Sequence, residues 1–405
     1  MSGLNETPSG EMTAIGFFGR RNAGKSSLVN AVTGQDLVVV SDVLGTTTDP
    51  VSKAMELLPL GPVLIIDTPG FDDTGELGEL RIRRTKQVLN KTDIAVLVID
   101  ATVGFTECER QLLTIFKEKN IKYVIVYNKA DLTDAHPETD QPDTIYVSSR
   151  TGQGINELKE RLANLSSAAE GISRKIVGDL LVPGQLAVLV TPIDSSAPKG
   201  RLILPQQQTI RDILDADAMA LVVKENELAD ALRKLTEQPA IVITDSQAFS
   251  EVAAVTPPSV PLTSFSILMA RYKGFLESAI EGVAAINKLK DGDTVLISEG
   301  CTHHRQCADI GTVKIPNWLH KFTDKQINIV TSSGTEFPED ISPYSVVIHC
   351  GGCMLNEREV TYRMKCALDQ NVPFTNYGIV IAYIKGILAR SLEPFPDLLK
   401  ELKLS

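Results

Sequence analysis

The chain has 405 residues, of which 43% are hydrophobic and 22% charged, and this globular composition excludes a disordered or a collagen-like chain. The length favours two or three domains. A net charge of −11, from 51 acidic and 40 basic residues, disfavours nucleic acid as a partner. No apolar run reaches the ~18 residues that cross a bilayer, and no signal peptide is recognisable, so we expect a cytoplasmic protein without a membrane partner.

Residues 1–165 alternate apolar runs with amphipathic stretches, which predicts an α/β domain with a mostly parallel sheet between two layers of helices. The predicted strands are Ala14–Phe18, Val63–Ile66, Ile94–Ile99, Tyr123–Tyr127 and Thr144–Val147. The predicted helices are Ser26–Val32, Leu80–Leu89, Glu107–Glu118 and Ile155–Leu165. The small, polar segment Ser166–Ser173 is expected to be a linker.

Two further α/β domains are predicted after this linker. Residues 174–262 carry the strands Leu186–Pro192, Met219–Val223 and Ala240–Thr244 and the helix Asn226–Leu235, and we interpret them as a packing or dimerisation module. Three prolines in Val255–Pro261 are expected to mark its end. Residues 263–405 carry a helical stretch, Ser264–Lys290, and the strands Thr294–Ser298, Ile327–Thr331, Ser345–Ile348 and Phe374–Tyr377. No internal repeat is strong enough to indicate a solenoid.

The segment from Gly19 to Ser26 reads GRRNAGKS and fits the phosphate-binding pattern G-x-x-x-x-G-K-[ST] between a predicted strand and a predicted helix. Its glycines let backbone N–H groups wrap the phosphates. We expect Lys25 to meet the β- and γ-phosphates and the Ser26 hydroxyl to bind Mg²⁺. The other residues expected to line the phosphates are Gly19, Arg20, Arg21, Asn22, Ala23, Gly24 and Ser27.

Two motifs that follow are typical of nucleotide hydrolysis. Asp67 opens the sequence DTPG after a predicted strand and is expected to hold Mg²⁺ through water, while the amide of Gly70 contacts the γ-phosphate. Between the loops lies GTTTD, residues 45–49, in which Thr47, or else Thr46, is expected to bind Mg²⁺ only while the nucleoside triphosphate is present. Alone, each motif would be interpreted as an ordinary turn or polar loop.

The sequence NKAD, residues 128–131, identifies the base. The carboxylate of Asp131 can accept hydrogen bonds from N1–H and N2–H₂ of guanine, a pair that adenine does not offer, so Asn128, Lys129 and Asp131 predict a guanine site. Lys129 would cover the base with its aliphatic stem. Ser148 and Ser149 follow the last predicted strand, where backbone donors can reach guanine O6.

These motifs over roughly the first 165 residues resemble the Era, EngA and MnmE/TrmE group of GTPases. The resemblance implies hydrolysis of GTP to GDP and phosphate, with Lys25, Thr47, Gly70 and Asn22 in the catalytic machinery. Phe71 stands where Ras-like proteins carry a water-orienting glutamine. Asn22 stands where MnmE-like relatives bind K⁺, which implies slow hydrolysis stimulated by K⁺. The alternative for Asn22 is a loop-capping amide.

A cysteine and histidine constellation lies in the last predicted domain. Four of the five histidines and five of the six cysteines lie beyond residue 300. Cys301 and His303 follow one predicted strand, and His349, Cys350 and Cys353 follow another. If these strands are parallel neighbours, both loops emerge at one edge of the sheet, where open α/β sheets bind ligands. Three thiolates so placed predict zinc or an iron–sulfur cluster.

The fourth coordination position stays open. His303, His349, Glu299, His304 or water are the candidates. A structural Cys₃His zinc site is one interpretation. The other is a [4Fe–4S] cluster with one exchangeable position.

The full chain resembles the [FeFe]-hydrogenase maturation GTPases, the HydF family. This resemblance implies a [4Fe–4S] cluster on Cys301, Cys350 and Cys353 and a scaffold that carries a transient diiron precursor of the hydrogenase active site. The implied partners are two radical-SAM maturases and the apo-[FeFe]-hydrogenase, with a homodimer formed through the middle domain. Two alternatives remain: a tRNA- or ribosome-linked GTPase with a zinc domain, and a GTPase that senses redox state through its cysteines.

Overall fold

Three sheets with mainly parallel strands form the framework of the protein. The computed structural model describes residues 12–35, 51–68, 88–133, 143–167, 174–192, 202–300, 309–334 and 337–404. The chain divides into two units, residues 1–173 and residues 174–405. The α/β class and the parallel sheets that the sequence predicts are confirmed.

The first unit has one six-stranded sheet in the order β2-β3-β1-β4-β5-β6. Its strands are β1 (Thr13–Phe18), β2 (Val51–Leu57), β3 (Gly61–Asp67), β4 (Ile94–Asp100), β5 (Lys122–Asn128) and β6 (Thr144–Tyr146). Its helices with given bounds are α1 (Lys25–Thr33), α2 (Glu107–Glu118) and α3 (Ile155–Ser167). The predicted helix Leu80–Leu89 lies mostly outside the described residues.

The central strand β4 explains why helices cover both faces of this sheet. Val96 and Val98 pack into the core on one face, and Leu97 and Ile99 pack into the core on the other. Each buried side chain of this size contributes ~1.5–3 kcal/mol of hydrophobic stabilisation. The sheet therefore requires an apolar layer on each side.

Strand β2 was not predicted from the sequence. It pairs with β3 in the antiparallel direction at the sheet edge, and most of its side chains are exposed. Four of its seven residues are apolar, but Lys53 interrupts the alternation of apolar and polar residues that would mark a half-buried strand.

The second unit holds two four-stranded sheets, with the orders β10-β9-β7-β8 and β12-β11-β13-β14. Its strands are β7 (Leu186–Val190), β8 (Met219–Val223), β9 (Ile241–Thr244), β10 (Leu262–Ser264), β11 (Thr294–Glu299), β12 (Asn328–Ser333), β13 (Val346–His349) and β14 (Phe374–Asn376). Its described α-helices are α4 (Leu204–Asp215), α5 (Leu228–Lys234), α6 (Phe249–Val255), α7 (Phe265–Tyr272), α8 (Leu276–Val283), α9 (Ile315–Thr323), α10 (Glu357–Asp369), α11 (Tyr377–Ile384), α12 (Leu388–Ser391) and α13 (Pro396–Leu404).

The region between the two sheets differs from the sequence-based expectation. The expected domain end at residue 262 falls inside β10, which pairs in parallel with β9 and so belongs to the sheet of the middle region. The expected helix Ser264–Lys290 is divided into α7, α8 and a 3₁₀ segment, Ala284–Lys288, while Ser264 belongs to β10. The break between α7 and α8 falls at Gly274, which takes a left-handed φ of 77°.

The two strands that precede the cysteine loops are parallel neighbours, as expected. Strand β11 pairs with β13 in a register that places Ser298 opposite His349. Their carboxyl ends, and therefore Gly300 and Cys350, lie at the same edge of the sheet.

Candidate functional site

The phosphate-binding loop is closed around the ammonium of Lys25. Its Nζ atom donates hydrogen bonds to the backbone oxygens of Gly19, at 3.0 Å, and Arg20, at 2.8 Å. Gly24 has a left-handed φ of 87°, and a Cβ atom there would lie 2.2 Å from Nδ2 of Asn128. A larger residue would therefore separate the phosphate loop from the guanine loop.

Two predicted Mg²⁺ ligands meet at the start of α1. The Ser26 hydroxyl donates a hydrogen bond of 2.6 Å to Oδ2 of Asp67. Oδ1 of Asp67 is buried and has no hydrogen-bond partner among the described residues. Burial raises the pKa of Asp67, and the Ser26 hydrogen bond and the Lys25 charge oppose this only in part. A carboxylate and a hydroxyl in this arrangement fit a hard divalent cation.

The predicted guanine loop is joined to the phosphate loop through Asn128. Its Nδ2 atom donates to the backbone oxygens of Ala23, at 3.2 Å, and Gly24, at 3.3 Å. Its Oδ1 atom accepts from the amide of Ser149 at 3.0 Å. Asn128 therefore connects three of the predicted nucleotide-binding segments.

Asp131 and Ser148 are also brought together, since the Ser148 hydroxyl donates a 2.6 Å hydrogen bond to Oδ1 of Asp131. This bond orients the carboxylate that is predicted to recognise guanine.

Sequence reasoning missed Asp100, which holds Lys129. The ammonium of Lys129 lies 2.6 Å from Oδ2 of Asp100 and 2.7 Å from the backbone oxygen of Asn22. Burial alone would raise the pKa of Asp100, but hydrogen bonds from Lys129 and Thr102 outweigh it and the pKa is lowered. The only sequence signal for Asp100 was its place at the carboxyl end of a buried strand.

The remaining predicted residues of the nucleotide site, Thr46, Thr47 and Gly70, lie outside the described residues, as does Phe71. Their roles stay predictions.

The sulfur of Cys350 accepts two backbone hydrogen bonds at the edge of the β11–β13 sheet. The amide of Gly300 donates at 3.0 Å, and the amide of Gly352 donates at 3.4 Å. Such donors stabilise a thiolate that ligates a metal or a cluster, so Cys350 fits that role. Gly352 has a left-handed φ of 64°, which agrees with the expected tight turn between the two cysteines.

Burial raises the pKa of both described cysteines in this loop. For Cys350 the two amides oppose the effect, whereas the pKa of Cys353 rises to about 11, with the neighbouring Cys350 as the second cause. Deprotonation therefore has to accompany the binding of a cation, as is usual for thiolate ligands.

Both ring nitrogens of His349 have partners within the protein. Nε2 accepts from Nη1 of Arg363 at 3.4 Å, and this leaves Nδ1–H to donate to the backbone oxygen of Cys350 at 2.7 Å. The ring is fully buried, and burial together with the Arg363 charge lowers the pKa of His349 to about 3. A ligand role for this neutral ring would require one of the two bonds to break.

Glu299, another candidate for the fourth position, is buried beside Tyr377, whose hydroxyl donates to Oε1 at 3.2 Å. Cys301 and His303 lie outside the described residues, within which no three Cys, His, Asp or Glu side chains form a metal-binding group. Sequence reasoning also missed Arg363, which is fully buried and donates to Glu359, Ser298 and His349.

A Walker-type loop, a buried Mg²⁺-type pair and a carboxylate-bearing guanine loop on one parallel sheet define a P-loop GTPase domain. Residues 14–129 accordingly match the family model described as a 50S ribosome-binding GTPase. Residues 176–274 match the hydrogen maturase F dimerization domain, and residues 277–394 match the hydrogen maturase F tetramerization domain. Together these two models span more than half of the chain, which belongs to the HydF family of hydrogenase maturation GTPases.

Two curated relatives each match less than half of the chain. The tRNA modification GTPase MnmE of Streptococcus pneumoniae is 36% identical over 158 residues, which is 38% of this chain and 34% of that protein. GTPase Der of Wolinella succinogenes is 31% identical over 193 residues, which is 44% of this chain and 40% of that protein. The chain thus spans less than half the length of either relative.

Among solved structures, Era of Aquifex aeolicus bound to GDP·AlF₄⁻ aligns with 54% of this chain and 97% of its own, at 18% identity and a TM-score of 0.34. A likeness at this level carries no functional weight. Within the described residues, no helix is long and apolar enough to cross a membrane.

Proposed function

We propose that this protein is a GTP-hydrolysing scaffold that binds a [4Fe–4S] cluster and assembles and delivers the diiron precursor of the [FeFe]-hydrogenase active site. The observation that carries the proposal is the sulfur of Cys350, which accepts two backbone N–H groups at a shared sheet edge, in a chain that also has a guanine-nucleotide site. Membership of the HydF family supports the link to hydrogenase maturation.

In the proposed mechanism, the first unit promotes GTP hydrolysis by positioning the phosphates and by neutralising their negative charge. Lys25, which lies beside the oxygens of Gly19 and Arg20, would meet the β- and γ-phosphates, and Ser26 and Asp67 would hold Mg²⁺. Thr47 completes the Mg²⁺ site and the Gly70 amide contacts the γ-phosphate. These groups neutralise charge that develops in the transition state.

A K⁺ ion bound at Asn22 is proposed to supply further positive charge beside the phosphates. The side chain of Asn22 is exposed on the phosphate loop, where an amide oxygen can ligate a monovalent cation. GTP turnover should therefore be faster in KCl than in NaCl at equal ionic strength. An Asn22→Ala variant should turn over GTP equally in both salts, and equal turnover by the unaltered protein would contradict the proposal.

The cluster is assigned to Cys301, Cys350 and Cys353. When bound, it supplies one iron position that the three thiolates leave exchangeable. His303, His304, Glu299 or water are the candidates for that position, and His349 holds the backbone of Cys350 in place. The diiron precursor is the cargo of this domain.

The two radical-SAM maturases are the proposed source of the cargo and its CO, CN⁻ and dithiolate ligands, and the apo-hydrogenase is its acceptor. The names of the matched domains support a homo-oligomer. We propose that the bound nucleotide controls how tightly the protein binds its partners. This requires the GTP form and the GDP form to make different contacts with a partner. Equal affinity of a partner for the GDP form and the GTP-analogue form would contradict this assignment.

Metal and sulfide analysis of protein purified without oxygen tests the cluster directly. About four irons and four sulfides per chain, with an EPR signal after dithionite reduction, is the expected result for this cluster type. A Cys350→Ala variant should lose the signal, and a Cys108→Ala variant, altered in helix α2 of the first unit, should keep it. One zinc and no iron would favour the GTPase with a structural zinc domain instead.

A further inference from the structure

A buried carboxylate outside the nucleotide-binding motifs lies next to the phosphate-binding loop. Glu109, in the first turn of α2, is fully buried. Its Oε1 atom lies 3.2 Å from Nε of Arg20, the second residue of the loop, whose side chain is 23% exposed. Because an unpaired charge is costly to bury, the guanidinium of Arg20 is the cation that allows the carboxylate of Glu109 to be buried.

Helix capping accounts for only one of the two oxygens of this carboxylate. Oε2 of Glu109 accepts the backbone amide of Thr106, at 2.8 Å, and the Thr106 hydroxyl, and these contacts form the capping box at the start of α2. Oε1 has no hydrogen-bond partner among the described residues and faces the charge of Arg20. A capping box requires neither burial nor an arginine from another segment, so the second oxygen has a role beyond the helix.

Arg20 belongs to the part of the loop that holds Lys25. The backbone oxygen of Arg20 accepts hydrogen bonds from Nζ of Lys25, at 2.8 Å, and from the amide of Ala23, at 3.4 Å. The preceding residue packs closely on the sheet, since a Cβ atom on Gly19 would lie 2.2 Å from the backbone oxygen of Val98 in β4. The first turn of the loop is therefore held by β4 through Gly19 and by α2 through Arg20.

We propose that Glu109 is a positioning residue for the nucleotide phosphates, which acts by fixing Arg20 and thereby the backbone around Lys25. The inference rests on the proposed hydrolysis of GTP by the first unit. Displacement of a phosphate-binding group by a fraction of an ångström reduces the stabilisation of the transition state, even when the group itself is retained. Loss of the Glu109 charge should therefore slow turnover although every residue of the loop is present.

Glu109→Gln separates the charge from the helix cap, because glutamine also serves in a capping box but offers no charge to Arg20. GTP turnover of the full-length protein is measured at saturating GTP and Mg²⁺ and divided by the number of chains that bind GDP. Turnover by the unaltered protein, measured first, tests GTP hydrolysis separately. We expect kcat per GDP-binding chain to fall about tenfold in Glu109→Gln. A role confined to folding would lower the number of GDP-binding chains and leave this kcat unchanged.

Glu107→Gln is the matched control for the charge at the start of α2. Glu107 lies in the same first turn, but its side chain is exposed and pairs with Arg110 three residues later. The substitution removes the same charge from the same helix terminus, so kcat per GDP-binding chain should stay within about twofold of that of the unaltered protein. An equal fall in Glu107→Gln and Glu109→Gln would overturn the inference, since the effect would then come from the helix terminus.

A double variant shows whether Glu109 acts through Arg20. Glu109→Gln/Arg20→Gln should be no slower than Glu109→Gln alone, because both substitutions break one link. A further fall of the same size would overturn the inference, as would an unchanged kcat in Glu109→Gln. If circular dichroism shows that Glu109→Gln does not fold, the double variant, which leaves neither charge unpaired, replaces it in the comparison with Glu107→Gln.

Discussion

The ammonium of Lys129 lies 2.7 Å from the backbone oxygen of Asn22, so the guanine loop donates directly to the phosphate loop. The same ammonium is held by Asp100 at 2.6 Å, from the end of the neighbouring strand β4. The loops predicted to bind the base and the phosphates are therefore linked through one charged side chain.

We predict that Asp100→Asn weakens GDP binding by about 5–30-fold, which corresponds to about 1–2 kcal/mol for one charge-assisted hydrogen bond. The reason is that Lys129 loses its anionic partner and no longer fixes the loop that carries Asn22. Because the pKa of Asp100 is lowered, the carboxylate stays charged at neutral pH, and its contribution is lost only as the pH falls through that lowered value.

Equilibrium titration with a fluorescent GDP analogue measures this effect. Asp179→Asn is the control, because Asp179 forms its ion pair with Arg271 in the second unit. Unchanged GDP affinity in Asp100→Asn would show that the Lys129 link has no part in nucleotide binding.

Asp131→Asn should change the base that the site selects. An amide accepts the N1–H of guanine but turns a donor toward its N2–H₂ group, so GDP affinity should fall about 100-fold or more. Xanthosine diphosphate carries an oxygen at that position and should bind the variant better than GDP. Competition between the two diphosphates measures the ratio.

Ser148→Ala provides the matched comparison for this base switch. It removes the 2.6 Å hydrogen bond to Asp131 but keeps the carboxylate, so GDP should weaken only by about 2–10-fold and remain preferred. A preference of Asp131→Asn for GDP over xanthosine diphosphate would contradict the assignment of Asp131.

The nucleotide site could be predicted from the sequence to the extent that its residues form local motifs. Lys25, Ser26 and Asn128 follow fixed spacings next to buried strands, and the structure brings them to one edge. Asp100 has no motif, because its partner Lys129 lies on the next strand and becomes a neighbour only through the β4–β5 pairing. Such contacts depend on tertiary structure, which periodicity does not reveal.

In the second unit, too, a contact that depends on tertiary structure could not be predicted from the sequence. Arg363 lies in α10, where a charged residue four positions after Glu359 is typical of a solvated helix face. Its complete burial follows from the packing of α10 against β11 and β13, where Ser298 and His349 accept its hydrogen bonds.

Arg363 connects three segments around the cysteine loop. Its Nε atom donates to Oε1 of Glu359 at 2.9 Å, and its Nη1 atom lies 3.3 Å from the hydroxyl of Ser298 and 3.4 Å from Nε2 of His349. Since His349 in turn holds the backbone of Cys350, the guanidinium fixes the ligand loop through the imidazole. A buried ion pair of this kind is costly to break on one side.

We therefore predict that Arg363→Met lowers the free energy of unfolding of the second unit by about 3–5 kcal/mol, because it leaves Glu359 buried without its cation. Urea unfolding of the metal-free full-length protein measures the loss. Hydrogen exchange of the amides in β11 and β13 serves as the readout, so that the unfolding of the second unit is monitored. The double variant Glu359→Gln/Arg363→Met should recover part of the lost stability, since the uncompensated carboxylate is removed.

Arg161→Met is the matched control, because Arg161 pairs with Glu157 at the same i,i+4 spacing on an exposed helix face. This substitution should lower the free energy of unfolding by only about 0–0.5 kcal/mol. An Arg363→Met variant no less stable than Arg161→Met would show that the buried pair does not hold the ligand loop.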